Sequence, residues 1–303
     1  MEKVIKIESI SQINEFMGSE KPVHPLISVI DFSKVEMGNY NEPFRILTGF
    51  YSIFLKEETG CEFKYGRGHY DFEEGSLMFI APNQSLTFEA STEEQKTAKG
   101  WGLFFHTDLI RGTFLANKMK EYTFFSYDST EALQLSEKEK ETISSVVEKI
   151  KIEYNQNIDI YSKDVIISNI ELLLSYSKRF YGRQFITRSQ QNQELLSKFN
   201  QFIDDYYKDN KAQTLGIPSV KYCAEQLNFS PNYLTDLLKK ETGKSTQELI
   251  HLYLIDLAKT RLLEPSDSIS EIAYGLGFEY PQYFSKMFKK NTGYTPAQYR
   301  HLN

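Results

Sequence analysis

Two related stretches decide the fold of the C-terminal part of this 303-residue chain. They read SPNYLTDLLKKETGKS (Ser230–Ser245) and YPQYFSKMFKKNTGYT (Tyr280–Thr295). Six positions are identical at an offset of 50 residues: Pro231/Pro281, Tyr233/Tyr283, Lys239/Lys289, Lys240/Lys290, Thr242/Thr292 and Gly243/Gly293. The same structural unit is therefore expected twice.

An upstream part repeats as well, at an offset of 49 residues, from Ser219 to Phe229 and again from Ser268 to Phe278. The one-residue difference falls between Phe278 and Pro281, in a turn, where an inserted residue is well tolerated. A duplicated helix–turn–helix is the simplest structure with this pattern, and two such units in tandem indicate a DNA-binding protein.

Local signals in both copies support the helix–turn–helix. Ser268 and Glu271 have the spacing of a capping box at a helix start. Gly277, and Asn228 in the first copy, suit the φ > 0 residue of a sharp turn between two helices. The prolines fit the first helical turn, and the glycines after each second helix fit its end. The aromatic residues Phe229 and Phe278 are expected to fill the space between the helices.

Each second helix separates into two faces. The inward residues are predicted to be Leu234, Leu237, Leu238, Phe284, Met287 and Phe288. The outward residues are Asn232, Thr235, Asp236, Lys239, Gln282, Ser285, Lys286 and Lys289. Asn and Gln pair with adenine edges, Lys with guanine or phosphate, and Asp with cytosine. Lys240 and Lys290 end their helices and are expected to contact phosphate, although lysine is also favoured there by the helix dipole.

The stretch between the units has no helix breaker from Gln247 to Pro265. As one helix of about 19 residues it spans roughly 28 Å. Successive major-groove faces on one side of a duplex lie about 34 Å apart. The sequence therefore predicts a rigid connection that lets both second helices enter adjacent major grooves.

Charge is distributed unevenly along the chain. The net charge is −6, which by itself argues against nucleic acid, but residues 196–303 hold 13 Lys+Arg and 12 Asp+Glu. The remaining residues hold 22 Lys+Arg and 29 Asp+Glu, so the acidic excess is N-terminal. Local charge matters more than the total for phosphate contact. The C-terminal balance of +1 permits DNA binding without arguing for it.

Residues from about Pro25 to Phe125 read as short strands separated by turns. ILTGFYSIFLK (Ile46–Lys56) is expected to be a strand, and SLMFIAPNQSLTFEA (Ser76–Ala90) two strands around a Pro-Asn turn. This pattern predicts a sandwich or barrel. Its aromatic residues are effector-pocket candidates or simply core: Tyr51, Phe54, Phe79, Trp101 and Phe105.

Two helices are predicted to follow, each with an apolar face. The first carries Ile143, Val147, Ile150 and Tyr154, and the second Ile166, Ile167, Ile170, Leu173 and Leu174. These faces either pack on the β region or form a dimer interface, so the sequence is compatible with both a monomer and a homodimer. The expected organisation is a sensor or dimerisation domain at 1–181 (strands 25–125, helices 136–181), a linker at 182–195 and a DNA-binding domain at 196–303 (units 218–243 and 268–293).

The segment ISEIAYGLGFEYPQYFSKMFKKNTGYTPAQYR (Ile269–Arg300) resembles the signature of AraC/XylS-type bacterial transcription regulators. The matching positions are Ala273, Gly277, Phe278, Tyr283, Phe284, Phe288, Lys289, Gly293, Pro296, Tyr299 and Arg300. The resemblance implies two helix–turn–helix units joined by a long helix. It implies DNA contacts from the outward residues above and from Tyr283. The N-terminal half resembles cupin-like sensor domains more loosely, which implies an α+β two-domain protein.

Asp236 departs from the family pattern, because many relatives carry Arg or a similar group at this position. An acid repels phosphate, so the first unit either binds weakly or reads a cytosine.

Enzyme signatures are not found in the sequence. His24, His69 and His106 are far apart, and Glu73 and Glu74 resemble solvated turn residues. They do not form the clustered ligand set of a metal cupin enzyme. We therefore expect no enzyme activity, no cofactor and no metal centre.

The N-terminal stretch MEKVIKIESISQINEF mixes charges with apolar residues, and no apolar run reaches 18 residues. These features predict neither a secretory signal nor a membrane helix. Cys61 and Cys223 lie in different predicted domains, which fits a reducing compartment and hence the cytoplasm.

The predicted function is a sequence-specific transcription regulator, with promoter DNA, RNA polymerase and an unidentified small effector as partners. The resemblance implies activation of transcription, which is the usual role of regulators in that family. The alternative is a cupin-like ligand-binding module that uses its helical domain for protein contact.

Overall fold

The computed structural model describes residues 3–35, 44–58, 63–64, 75–88, 99–157, 159–187, 189–264 and 267–302. The chain forms two compact units, Met1–Thr187 and Arg188–Asn303, called here the N-terminal and C-terminal units. The division falls inside the stretch 182–195 that the sequence assigns to a linker. The described residues of that stretch are helical.

The N-terminal unit contains two β-sheets. A four-stranded sheet has the order β1-β3-β7-β5, and β1 pairs with β3 in parallel. A five-stranded antiparallel sheet has the order β2-β8-β4-β6-β9. The strands are β1 (Lys3–Ile7), β2 (Ile27–Asp31), β3 (Phe44–Thr48), β4 (Phe50–Glu58), β5 (Phe63–Lys64), β6 (Ser76–Ile80), β7 (Ser85–Phe88), β8 (Lys99–His106) and β9 (Leu133–Gln134).

One hydrophobic core joins the two sheets. Ile46 and Leu86 of the four-stranded sheet share it with Phe50, Met78 and Phe104 of the five-stranded sheet. A first helix, α1 (Ile10–Phe16), adds Ile10 and Ile13 to the same core. The β region is therefore a two-sheet sandwich, in agreement with the sandwich-or-barrel prediction.

The described residues of the N-terminal unit include four further α-helices: α2 (Thr107–Ile110), α3 (Phe114–Lys118), α4 (Glu137–Asn155) and α5 (Ser162–Thr187). The Tyr154 hydroxyl on α4 accepts a hydrogen bond from the Val29 N–H on β2, at 3.1 Å. All nine apolar residues predicted for the faces of α4 and α5 are buried within the unit. These residues thus pack inside their own domain, and any dimer contact must use other side chains.

The sequence placed some strand limits wrongly. Ile46–Lys56 is not one strand, because the chain leaves the first sheet after Thr48 and enters the second at Phe50. The bend between them falls at Gly49. β1 and β9 lie outside the predicted strand region 25–125, since their pairing is set by distant partners that a local pattern does not reveal.

The described residues of the C-terminal unit form helices joined by short turns. Its helices are α6 (Ser189–Lys208), α7 (Lys211–Leu215), α8 (Val220–Leu227), α9 (Pro231–Thr242), α10 (Thr246–Leu263), α11 (Ile269–Gly275), α12 (Pro281–Thr292) and α13 (Pro296–Leu302). The connecting helix α10 is continuous over 18 residues, as the sequence predicts. At 1.5 Å per residue it is about 27 Å long. Across the described parts of both units, no helix combines the length and apolar character needed to cross a membrane.

Candidate nucleic-acid interface

Two helix–turn–helix units, α8–α9 and α11–α12, are present, and their turns have the predicted backbone. Asn228 ends α8 at φ 60°, and Gly277 follows α11 at φ 89°. Gly243 and Gly293 end the second helices at φ 74° and φ 82°. The left-handed conformation, which Gly and Asn adopt most easily, therefore sets all four chain reversals.

The helix starts are capped as the sequence indicates. The Ser268 hydroxyl accepts from the Glu271 N–H, and the Glu271 carboxylate accepts in return from the Ser268 N–H at 2.7 Å. The latter bond is the main reason that the pKa of Glu271 is lowered. α9 starts at Pro231, and its preceding Ser230 hydroxyl accepts from the Tyr233 N–H at 3.3 Å. These capping bonds fix where α9 and α11 begin.

The turn of the second unit also contacts the segment that precedes the first unit. A Cβ on Gly277 would lie 2.7 Å from the Gly216 carbonyl carbon and 2.9 Å from the Ile217 nitrogen. The backbone of the second helix–turn–helix turn thus packs on the backbone of the segment before the first helix–turn–helix, and only glycine fits at position 277. The sequence repeat could not show this, because the equivalent Asn228 is exposed.

The first recognition helix, α9, buries Leu234, Leu237 and Leu238, as predicted. Asn232 and Lys239 are exposed on its other face, whereas Thr235 and Asp236 are half-buried. The Thr235 hydroxyl lies 3.1 Å from that of the buried Thr246 at the start of α10. Thr235 therefore also fastens α9 to the connecting helix, a role that the sequence did not reveal.

The second recognition helix, α12, buries Phe284 and Phe288 but leaves Met287 only half-buried. Gln282, Tyr283, Lys286 and Lys289 are exposed, and Ser285 is half-buried. The predicted reading residues thus share the side of α12 that its own core does not occupy.

Five lysines give the two helices their charge: Lys239, Lys240, Lys286, Lys289 and Lys290. All are exposed, and within the described part of the chain none forms an ion pair with a carboxylate. Other lysines of the same unit do, since Lys208 pairs with Asp204 and Lys259 with Asp256 at 3.1 Å. The five ammonium groups are therefore available to an external anion.

Arg300 holds the joint between the connecting helix and the second unit. Its Nε donates to the Leu262 carbonyl at 3.2 Å, and its Nη2 donates to the Asp267 carbonyl at 2.7 Å. A charged donor with two backbone acceptors is a strong fastening. The sequence marks Arg300 only as a motif position, and no local signal discloses these distant acceptors.

The five aromatic effector candidates of the N-terminal unit divide between two faces of the same sheet. Phe54 contacts Phe32 and Phe104 on the side of the core shared by both sheets. Tyr51 stacks on Phe105 on the opposite side.

The remaining two candidates also contact helical segments. Phe79 packs against Phe124 and Tyr181, and the Trp101 indole N–H donates to the Ser144 hydroxyl of α4. The structure therefore does not bring the five together in one place.

The histidines and cysteines have local roles where they are described. His24 Nδ1 accepts from the Leu26 N–H, and His106 Nδ1 accepts from the Asp108 N–H at the start of α2. Cys223 is buried, and burial raises the pKa of its thiol to about 12. His69, Glu73, Glu74 and Cys61 lie outside the described residues. Among the described residues, no group of His, Cys, Asp and Glu could hold a metal ion.

Comparison with known proteins supports the nature of the C-terminal unit. Residues 223–301 match the family model described as "Helix-turn-helix domain", which is of the AraC type. An uncharacterized HTH-type transcriptional regulator, YijO of Escherichia coli, is 33% identical over 128 residues, covering 42% of each chain. An uncharacterized transcriptional regulatory protein, YesN of Bacillus subtilis, is 42% identical over 94 residues, covering 29% of this chain and 26% of the relative.

A solved structure covers the same region. It is the C-terminal domain of a two-component response regulator, yesN, from Fusobacterium nucleatum, with 30% identity and a TM-score of 0.32. The alignment covers 35% of this chain and 98% of that one. The two curated relatives are thus matched over less than half of their own lengths.

The family match, the duplicated turns and the exposed lysines agree. The C-terminal unit is a DNA-binding helix–turn–helix domain of the kind found in bacterial transcription regulators. Over residues 223–301 the chain is thus similar to AraC-type regulators.

Proposed function

We propose that the whole protein is a sequence-specific transcription regulator that binds promoter DNA with both recognition helices and acts with RNA polymerase in the cytoplasm. The observation that carries the proposal is the pair of recognition helices with five exposed lysines and no carboxylate partners among the described residues. DNA phosphates are the obvious counter-charge, because each neutralised phosphate releases a condensed cation.

Salt-dependent binding of the full chain to duplex DNA tests this proposal. If each of the five lysines neutralises one phosphate, a plot of log K against log salt has a slope of about −3 to −5. Charge reversal of Lys239 and Lys289 to Glu should abolish binding, whereas the same change at the ion-paired Lys259 should leave it nearly unchanged. Absence of any shift at low salt would favour the alternative, in which the helical domain contacts another protein.

We propose further that the N-terminal unit senses a small effector on the side of β4 that carries Phe54. Ser52, Phe54 and Lys56 alternate along the strand and so share that side. Ser52 is buried, and its hydroxyl has no hydrogen-bond partner among the described residues. A buried hydroxyl among apolar side chains suits the polar group of a small, largely apolar effector.

The effector proposal is tested with a panel of small, largely apolar compounds, each compared with an analogue that lacks its polar group. At least one compound should raise the Tm of the full chain and change its DNA affinity, while the matched analogue should not. Ser52→Ala should remove the response. An equal response to compound and analogue would contradict a site built on the Ser52 hydroxyl.

A homodimer is also part of the proposed function. Val165 and Leu172 lie seven residues apart on α5 and are both exposed, as is Ile152 on α4. Positions seven apart share one face of a helix. This apolar stripe is the side of α5 that does not pack on its own domain, and it suits a second copy of the chain.

A further inference from the structure

An exposed pair of tyrosines marks the start of the second recognition helix. Tyr280 is 47% exposed and Tyr283 59% exposed. Their ring centroids are 5.7 Å apart in an edge-to-face arrangement. The first unit lacks this feature, because the equivalent Tyr233 is only 5% exposed and stacks on Phe229 at 5.6 Å.

The one-residue insertion between the copies explains the difference. Two steps separate Phe229 from Pro231, but three separate Phe278 from Pro281. Phe278 therefore packs against Phe284, at 5.5 Å, and not against the tyrosine. Tyr283 is released to the surface as a result.

Tyr280 also occupies the N-cap position of α12, where the first unit has Ser230. Ser230 caps its helix through its hydroxyl, whereas the Tyr280 side chain makes no capping bond. A good cap has thus been replaced by a large exposed ring that makes no capping bond. Local rules of this kind are most often broken where a residue serves function.

The position of the pair indicates its ligand. N-terminal residues of a recognition helix contact base edges in the major groove. The one apolar group on those edges is the 5-methyl group of thymine. Lys289 and Lys290 follow on the same helix and draw it to the phosphates. We propose that Tyr280 and Tyr283 pack on thymine methyl groups and give the second unit, but not the first, a preference for thymine.

This inference rests on the proposed function and is tested in the same system. The full chain first selects duplexes from a random library, and each thymine of the selected site is then replaced by deoxyuridine, which removes only the methyl group. At one or two positions in the second half-site the affinity should fall about threefold to fivefold. No such effect is expected in the first half-site.

Variants assign the effect to residues. Tyr280→Ser should remove the methyl sensitivity at one position while improving the helix cap, so misfolding cannot explain the loss. Tyr283→Ser should remove it as well. Tyr294→Ser is the matched control, because Tyr294 is similarly exposed beyond the other end of α12 and should keep full sensitivity.

The outcomes are distinguishable. If no duplex is enriched, both the proposed function and the tyrosine inference fail. If duplexes bind but deoxyuridine has no effect, or if Tyr280→Ser keeps the full effect, only the tyrosine inference is overturned.

Discussion

The two turn residues, Asn228 and Gly277, occupy equivalent positions in the repeat but should respond differently to exchange. Both have φ > 0, at 60° and 89°. Asn tolerates this conformation, so Gly277→Asn would be accepted if the φ angle were the only requirement at this position. The contact between the second turn and Gly216 predicts that the substitution is harmful.

The magnitude follows from the distances around Gly277. A Cβ there would lie 2.7 Å from the Gly216 carbonyl carbon, 2.9 Å from the Ile217 nitrogen and 3.0 Å from the Ala212 oxygen. All three are backbone atoms, which cannot rotate away. Overpacking of this kind costs about 1–3 kcal/mol. Gly277→Ala adds about 1–2 kcal/mol of backbone strain. The reverse change, Asn228→Gly, meets no such contact and should cost less than about 1 kcal/mol.

Hydrogen exchange of the full chain, read by mass spectrometry, measures these effects locally. Gly277→Asn should speed exchange of amides in α7, α11 and α12 by about 5-fold to 150-fold. Peptides from the five-stranded sheet serve as the internal control and should not change. Unchanged exchange in Gly277→Asn, or an equal effect of Asn228→Gly, would refute the proposed backbone contact.

Three further outcomes follow from the same structure. Lys286→Ala should weaken specific binding by about 1–3 kcal/mol and relax the choice of DNA sequence. Lys290→Ala should weaken binding to all duplexes alike and reduce the slope of log K against log salt by about 1. An equal loss of specificity from both variants would contradict this division of roles. Burial, with the nearby Lys290, lowers the pKa of His251 below 6.5. Because the unfolded chain then binds more protons, the His251 contribution to stability is complete above pH 6.5 and is lost as the pH falls. His251→Gln should therefore flatten the dependence of Tm on pH in this range. Leu172→Glu should convert a homodimer to a monomer in light scattering, and a monomeric native protein would contradict the proposed α5 interface.

The sequence predicts the frame of the C-terminal unit well because that frame depends on local chemistry. Capping serines, φ > 0 turn residues and terminal glycines act within a few residues of their own position. Ser268, Asn228 and Gly243 therefore have the expected geometry.

What the sequence did not predict depends on distant partners. The acceptors of Arg300 lie more than 30 residues away, and the contact of Gly277 with Gly216 joins separate helices. The break between β3 and β4 at Gly49 arises because the two strands belong to different sheets. The exposure of Tyr283 is predictable from the sequence, because alignment of the two copies of the repeat shows the inserted residue before Pro281.

The most direct test of the central claim is to change the spacing of the two half-sites in a selected duplex. A rigid domain with a connecting helix of about 27 Å reads two unlike sequences about one helical turn apart. Insertion of 5 bp should reduce the affinity to that of one half-site, and insertion of 10 bp should not restore it, because the helix cannot lengthen. Unchanged affinity after either insertion, or recovery at 10 bp, would contradict a single rigid reader with two recognition helices.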